Sequence, residues 1–71
     1  MSEIDIGITV NGKVRRVPDG ATISSLLSSL NLDRRLVVVE LNEEIVRRTE
    51  LDEVAVREGD RVELVHFVGG G

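Results

Sequence analysis

Few residues in this sequence are equipped for chemistry. There is one histidine, His66, a serine-rich stretch (Ser24, Ser25, Ser28, Ser29), three arginine pairs (Arg15-Arg16, Arg34-Arg35, Arg47-Arg48) and a closing run of glycines, Gly69 to Gly71. A histidine works as a general base or a metal ligand, but His66 has no ligand partner at metal-binding spacing. A serine becomes a nucleophile only beside a base, and the serine stretch contains neither His nor Asp. The arginine pairs are separated and interspersed with carboxylates, with no aromatic platform beside them, which reads as solvated surface rather than a phosphate site. The glycines offer no side chain, pack nothing, and carry the highest backbone entropy of any residue. "VHFVGGG" is therefore built to be loose.

Size and composition narrow the functions further. A chain of 71 residues makes one small domain that buries only about 60% of its unfolded surface. Enzyme pockets are lined by apolar and aromatic walls, and the only aromatic residue here is Phe67. Catalysis within this chain alone is not expected. The absence of cysteine excludes disulfides, thiolate nucleophiles and zinc–thiolate sites. The formal charge of −4 argues against nucleic acid, which calls for clustered Lys and Arg. The start, "MSEIDIGITV", is acidic and alternating, and no apolar run approaches membrane-spanning length. A cytoplasmic protein without a membrane partner is expected.

The pattern of apolar residues supplies the elements. Ile4, Ile6, Ile8 and Val10 alternate with polar residues or glycine, as in a strand with one buried face. Asn11-Gly12 suits a type I′ turn, which predicts a hairpin into Lys13 to Val17. Pro18-Asp19-Gly20 ends that strand. Thr22 can cap a helix whose Ile23, Leu26, Leu27 and Leu30 form one apolar stripe, and Asn31 can take the left-handed position after it, with Leu32 folding back. Leu36 to Leu41 is rich in β-branched residues and reads as a strand. Asn42-Glu43 reads as a turn, Ile45-Val46 as a brief strand, and Leu51, Val54 and Val56 as anchors of an irregular crossover. Glu58-Gly59-Asp60 turns the chain into a last strand, Arg61 to Val68.

This order predicts an α+β fold, a mixed sheet of four to five strands with one helix packed on one face. A lone helix leaves the other face uncovered. If Glu40 points to water, Val37, Val39 and Leu41 point into the core, and Leu36 and Val38 fall outside with Glu40. In the last strand Val62 and Leu64 face the core, which puts Val65 and Phe67 on the open face. His66 shares the core side, where a packed or partly buried histidine is expected. Leu36, Val38, Val65 and Phe67 together would make a docking patch.

"ITVNGK", "VVVELNEEIVRR" and "VREGDRVELVHFVGGG" together resemble the ubiquitin-like β-grasp family, and within it the sulfur carriers of bacterial thiamin thiazole biosynthesis. The most specific feature is a last strand running straight into Gly-Gly. The small subunit of molybdopterin synthase shares the fold and tail, but is usually longer and carries prolines before the tail; only Pro18 occurs here. The resemblance implies a β-grasp body over residues 1–68 and a flexible tail over 69–71. It implies that the Gly71 carboxylate, with Gly70 completing the pair, is adenylated by a ubiquitin-activating-type partner using ATP and magnesium, then converted to a thiocarboxylate. It further implies a sulfur donor enzyme and a thiazole synthase as partners, with no cofactor or metal bound by this chain. Glycines suit that role because a tail without Cβ atoms can thread a narrow channel, and three extended residues reach about 10 Å. Gly69 lengthens the tail beyond the minimal pair.

Other readings of the same tail remain open at this point. A protein modifier would join Gly71 to target lysines after identical activation chemistry. A passive binding module would use only the Leu36, Val38, Val65 and Phe67 patch, and its glycines would be dispensable or a cloning remnant.

Overall fold

The computed structural model of the protein describes residues 5–67. Val68 and the glycines Gly69 to Gly71 lie outside the described residues, as does Ile4 at the expected start of the first strand. Five strands and one helix follow in the order β1 (Asp5–Val10), β2 (Lys13–Pro18), α1 (Ile23–Ser29), β3 (Val37–Leu41), β4 (Glu44–Val46) and β5 (Arg61–His66). They form one mixed sheet in the order β2-β1-β5-β3-β4. The β1–β5 pair is parallel, and the other neighbours are antiparallel. This is the α+β, one-helix arrangement that the sequence predicts, with the sheet at five strands.

Local sequence explains each junction. Asn11 and Gly12 both take positive φ, 51° and 84°, as a type I′ turn requires. Thr22 caps α1 by accepting from the Ser25 backbone N–H, and the Ser25 hydroxyl lies 2.9 Å from the Thr22 backbone N–H, a reciprocal box that satisfies two orphan donors. The next two donors are also met, since Ile23 N–H donates to Val54 C=O and Ser24 N–H to Leu51 C=O. The crossover is thereby laced to the helix start, with Leu51 and Val56 buried. At the other end Asn31 sits at φ 59°. Asn31 N–H reaches Ser28 C=O and Leu32 N–H reaches Leu27 C=O, the Schellman pattern.

The core lies between the helix and one sheet face. Ile23, Leu26 and Leu27 of α1 share a buried cluster with Ile8, Val39 and Val62 from the three central strands. Val62 is fully buried, as befits the central strand. Two single turns of 3₁₀ helix, Arg34–Leu36 and Arg48–Glu50, occupy segments where the sequence suggests strand or loop. Leu36 therefore precedes β3 rather than opening it.

The β3–β4 turn repeats the type I′ geometry with Asn42 at φ 52° and Glu43 at φ 73°. A glutamate in this region is strained by its Cβ, while glycine is not. Glu43→Gly should therefore stabilise the protein by about 0.5–1 kcal/mol, because the exposed 3.7 Å Arg61–Glu43 ion pair it removes is worth at most a few tenths. Thermal unfolding followed by circular dichroism should show a Tm rise of a few degrees. A fall in Tm would show that the ion pair outweighs the backbone strain.

Candidate functional site

β5 is the central strand and leads directly towards the glycines, so its two faces decide what the tail is mounted on. In the antiparallel β3–β5 ladder Val38 lies opposite Val65, Val39 opposite Leu64 and Val37 opposite His66. Phe67 N–H donates to Leu36 C=O at 2.7 Å, carrying the same register one step beyond the strands. Strand alternation then puts Val38, Val65 and Phe67 on the face away from the helix, and the Phe67 bond sets exposed Leu36, in the 3₁₀ turn before β3, next to Phe67. Val65 is 55%, Phe67 54% and Leu36 38% exposed, and Val38 is half-buried. The structure thus brings together the four apolar residues of the expected patch.

The open face holds more than those four. Ile45 of β4 pairs with Glu40 and Val14 of β2 pairs with Thr9, so both lie on this face and both are exposed. The sequence contained the signal for Ile45, because a two-residue Asn42-Glu43 turn fixes Glu40 opposite Ile45 once Glu40 is known to face water. A shallow groove of about 440 Å³ at the patch is lined by Val38 and Val65 together with Glu40, Glu43, Arg61 and Glu63. Its walls are too open and polar to exclude water from a reaction, so the face suits docking rather than catalysis.

His66 corrects the expectation placed on it. It lies on the core-side parity opposite Val37, yet it is exposed. β1 stops at Val10, level with Val62, so no strand flanks His66 on that side to cover it. Its nearest electrostatic role is minor. Asp33 is held down to about 2 chiefly by its side-chain hydrogen bond with Arg35, with a small contribution from His66.

The arginines and serines act as braces. Arg35 is paired with Asp33 at 2.8 Å and Arg34 with Asp52 at 3.0 Å, while Arg48 donates to Arg35 C=O and Arg16 to Asp5 C=O. The Ser24 hydroxyl donates to Asp52, a partner that lies 28 residues on and so escapes local sequence reading. That bond and Arg34 together lower the Asp52 carboxyl below its ordinary value, which makes it a weak base. Ser24 therefore ties the helix start to the crossover and is not set up as a nucleophile. Among the described residues no group of three or more His, Cys, Asp or Glu is placed to hold a metal ion, and no helix is long and apolar enough to cross a membrane.

Comparison with known proteins agrees with this arrangement. The ThiS family profile matches residues 8–71. The sulfur carrier protein ThiS of Bacillus subtilis (strain 168) is 43% identical over 65 residues, which cover 90% of this chain and 98% of that protein. A thiazole synthase of Paramagnetospirillum magneticum is 42% identical over 64 residues, 90% of this chain but only 20% of that much longer protein. Among solved structures, the crystal structure of the thiamine biosynthesis protein ThiS from Geobacter metallireducens superposes with a TM-score of 0.78 at 39% identity, covering 93% of this chain and all of that one.

Proposed function

The chain belongs to the ThiS family, and from that premise we propose that it carries sulfur for thiazole formation in thiamin biosynthesis, as a thiocarboxylate on Gly71. The observation that carries this reading is the family match through residue 71, which takes in every glycine of the tail. A carboxylate is a poor electrophile until its oxygen becomes a good leaving group. An adenylating enzyme of the ubiquitin-activating type, using ATP and magnesium, supplies that leaving group by joining the carboxylate to AMP with loss of pyrophosphate. A sulfide equivalent from a donor enzyme then attacks the acyl carbon and displaces AMP. The chain itself supplies the carboxylate, a tail without Cβ atoms at Gly69, Gly70 and Gly71, and a docking face of Leu36, Val38, Val65 and Phe67. It contributes no catalytic side chain of its own to this scheme.

A thiazole synthase as the acceptor is supported by the P. magneticum thiazole synthase, which contains a stretch 42% identical to this chain. Tethering a carrier to its acceptor raises the effective concentration of the sulfur. The proposed place of action is the cytoplasm.

Tandem mass spectrometry of the intact protein, isolated from its native cells under non-oxidising conditions, tests the proposal. The expected result is a sulfur-for-oxygen change confined to Gly71. Location matters because oxidation of Met1 adds nearly the same mass. Gly71 found joined to target lysines would make the protein a modifier, and a plain carboxylate persisting after incubation with activating enzyme, ATP and sulfur donor would reject the carrier role.

A further inference from the structure

β5 bears the tail, yet only two register pairs join it to β1, Thr9 with Arg61 and Val10 with Val62. Side chains complete the ladder at both ends. Upstream, Glu58 Oε1 accepts from Gly7 N–H at 2.9 Å. Downstream β1 has already turned, and the Asn11 amide stands in for the missing backbone unit. Its Oδ1 accepts from Leu64 N–H at 2.7 Å and its Nδ2 donates to Leu64 C=O at 3.2 Å. Asn11 N–H also donates to Val62 C=O.

Backbone groups along a strand point alternately to either side. In β5 the even-numbered residues address β1 and the odd-numbered ones address β3, as the Val62 and Phe67 bonds show. The Asn11 amide therefore closes the last bonded position on the β1 side, and Phe67 to Leu36 closes the last described one on the β3 side. Both clamps sit within a few residues of the glycines.

We propose that Asn11 is a positioning residue for the acyl chemistry at Gly71, its amide clamping Leu64 so that the held stem ends at Phe67. This rests on the carrier reading above. From Phe67 to Gly71 is four residues, a reach of about 13 Å when fully extended. Without the clamp, Val65, His66 and Phe67 are held by β3 alone, and the adenylating enzyme must fix that stem when it docks. Ordering occurs on docking, before the chemical step, so the loss falls on KM rather than kcat.

Asn11→Gly removes the amide and spares the turn, because Asn11 and Gly12 already hold the positive φ values that Gly-Gly also supports. The assay is ATP-dependent adenylation by the cognate activating enzyme with the carrier as varied substrate, at a temperature where all variants are folded. Amide exchange at Leu64 is measured by NMR in parallel. The expected results are exchange about tenfold faster at Leu64 and KM about 5- to 20-fold higher with kcat within about twofold. Val17→Ala, a core truncation on β2 far from the stem, should lose stability without raising KM. Asn11→Asp, which accepts from Leu64 N–H but cannot donate to its carbonyl, should fall between. An unchanged KM for Asn11→Gly, or an equal rise in Val17→Ala, overturns the positioning role while leaving the carrier reading intact. Absence of adenylation in the unaltered protein would defeat the carrier reading first, and the role of Asn11 with it.

Discussion

Deletion of Gly71 is expected to abolish adenylation and thiocarboxylate formation while leaving thermal stability unchanged. Among the described residues every core residue lies between Ile6 and Val62 and the last tie of the stem to the sheet is made at Phe67, and the deletion leaves all of these in place. It retracts the carboxylate proposed to react by one residue, about 3.3 Å. A misplacement of about 1 Å at a reacting centre can lower a rate about 100-fold, so at least that loss is expected in pyrophosphate exchange by the activating enzyme. Gly71→Ala keeps the length but adds a Cβ at the acyl position, and should separate reach from steric fit. A passive binding module predicts that both variants behave as the unaltered protein does, and adenylation of the deletion at the normal rate would reject Gly71 as the reacting group.

Much of the body was legible because its signals are local. Asn11-Gly12 specifies a turn, Thr22 a helix start and Asn31 its end, and each is decided by residues within four positions. Glu40 settled the faces of β3, because a one-residue slip would bury a carboxylate, and Val62 and Leu64 settled those of β5 independently; the register of the two strands agrees. What the sequence hid is carried by contacts between distant residues. The bond from Ser24 to Asp52 spans 28 residues, Gly7 to Glu58 spans 51, and Asn11 to Leu64 spans 53. His66 was misjudged for the same reason: parity assigned its side of the sheet, but exposure depended on where β1 ends relative to β5, which is a matter of sheet order. The tail was legible only as composition. The glycines lie outside the described residues, and the role proposed for them rests on the family match through residue 71.

Phe67→Asp is expected to leave the fold intact and weaken the complex with the adenylating enzyme by about 30-fold or more. The Phe67 side chain is 54% exposed, and its tie to the sheet runs through its backbone N–H to Leu36 C=O, which aspartate retains. The stability change should stay within about 0.5 kcal/mol, as for surface substitutions generally. In the complex the same ring would be an aromatic anchor next to the tail, and losing such an anchor costs about 2 kcal/mol. The new carboxylate also joins a face that already presents Glu40 opposite Glu63, so the defect should respond to salt. Val14→Asp provides the control for location. Val14 is exposed on the same face, but β2 lies two strands from β5, about 10 Å away. Calorimetric titration should find Val14→Asp nearly silent and Phe67→Asp severely weakened. Equal losses would mean that the whole face docks rather than the Leu36–Phe67 end, and two silent variants would move the docking surface off this face altogether.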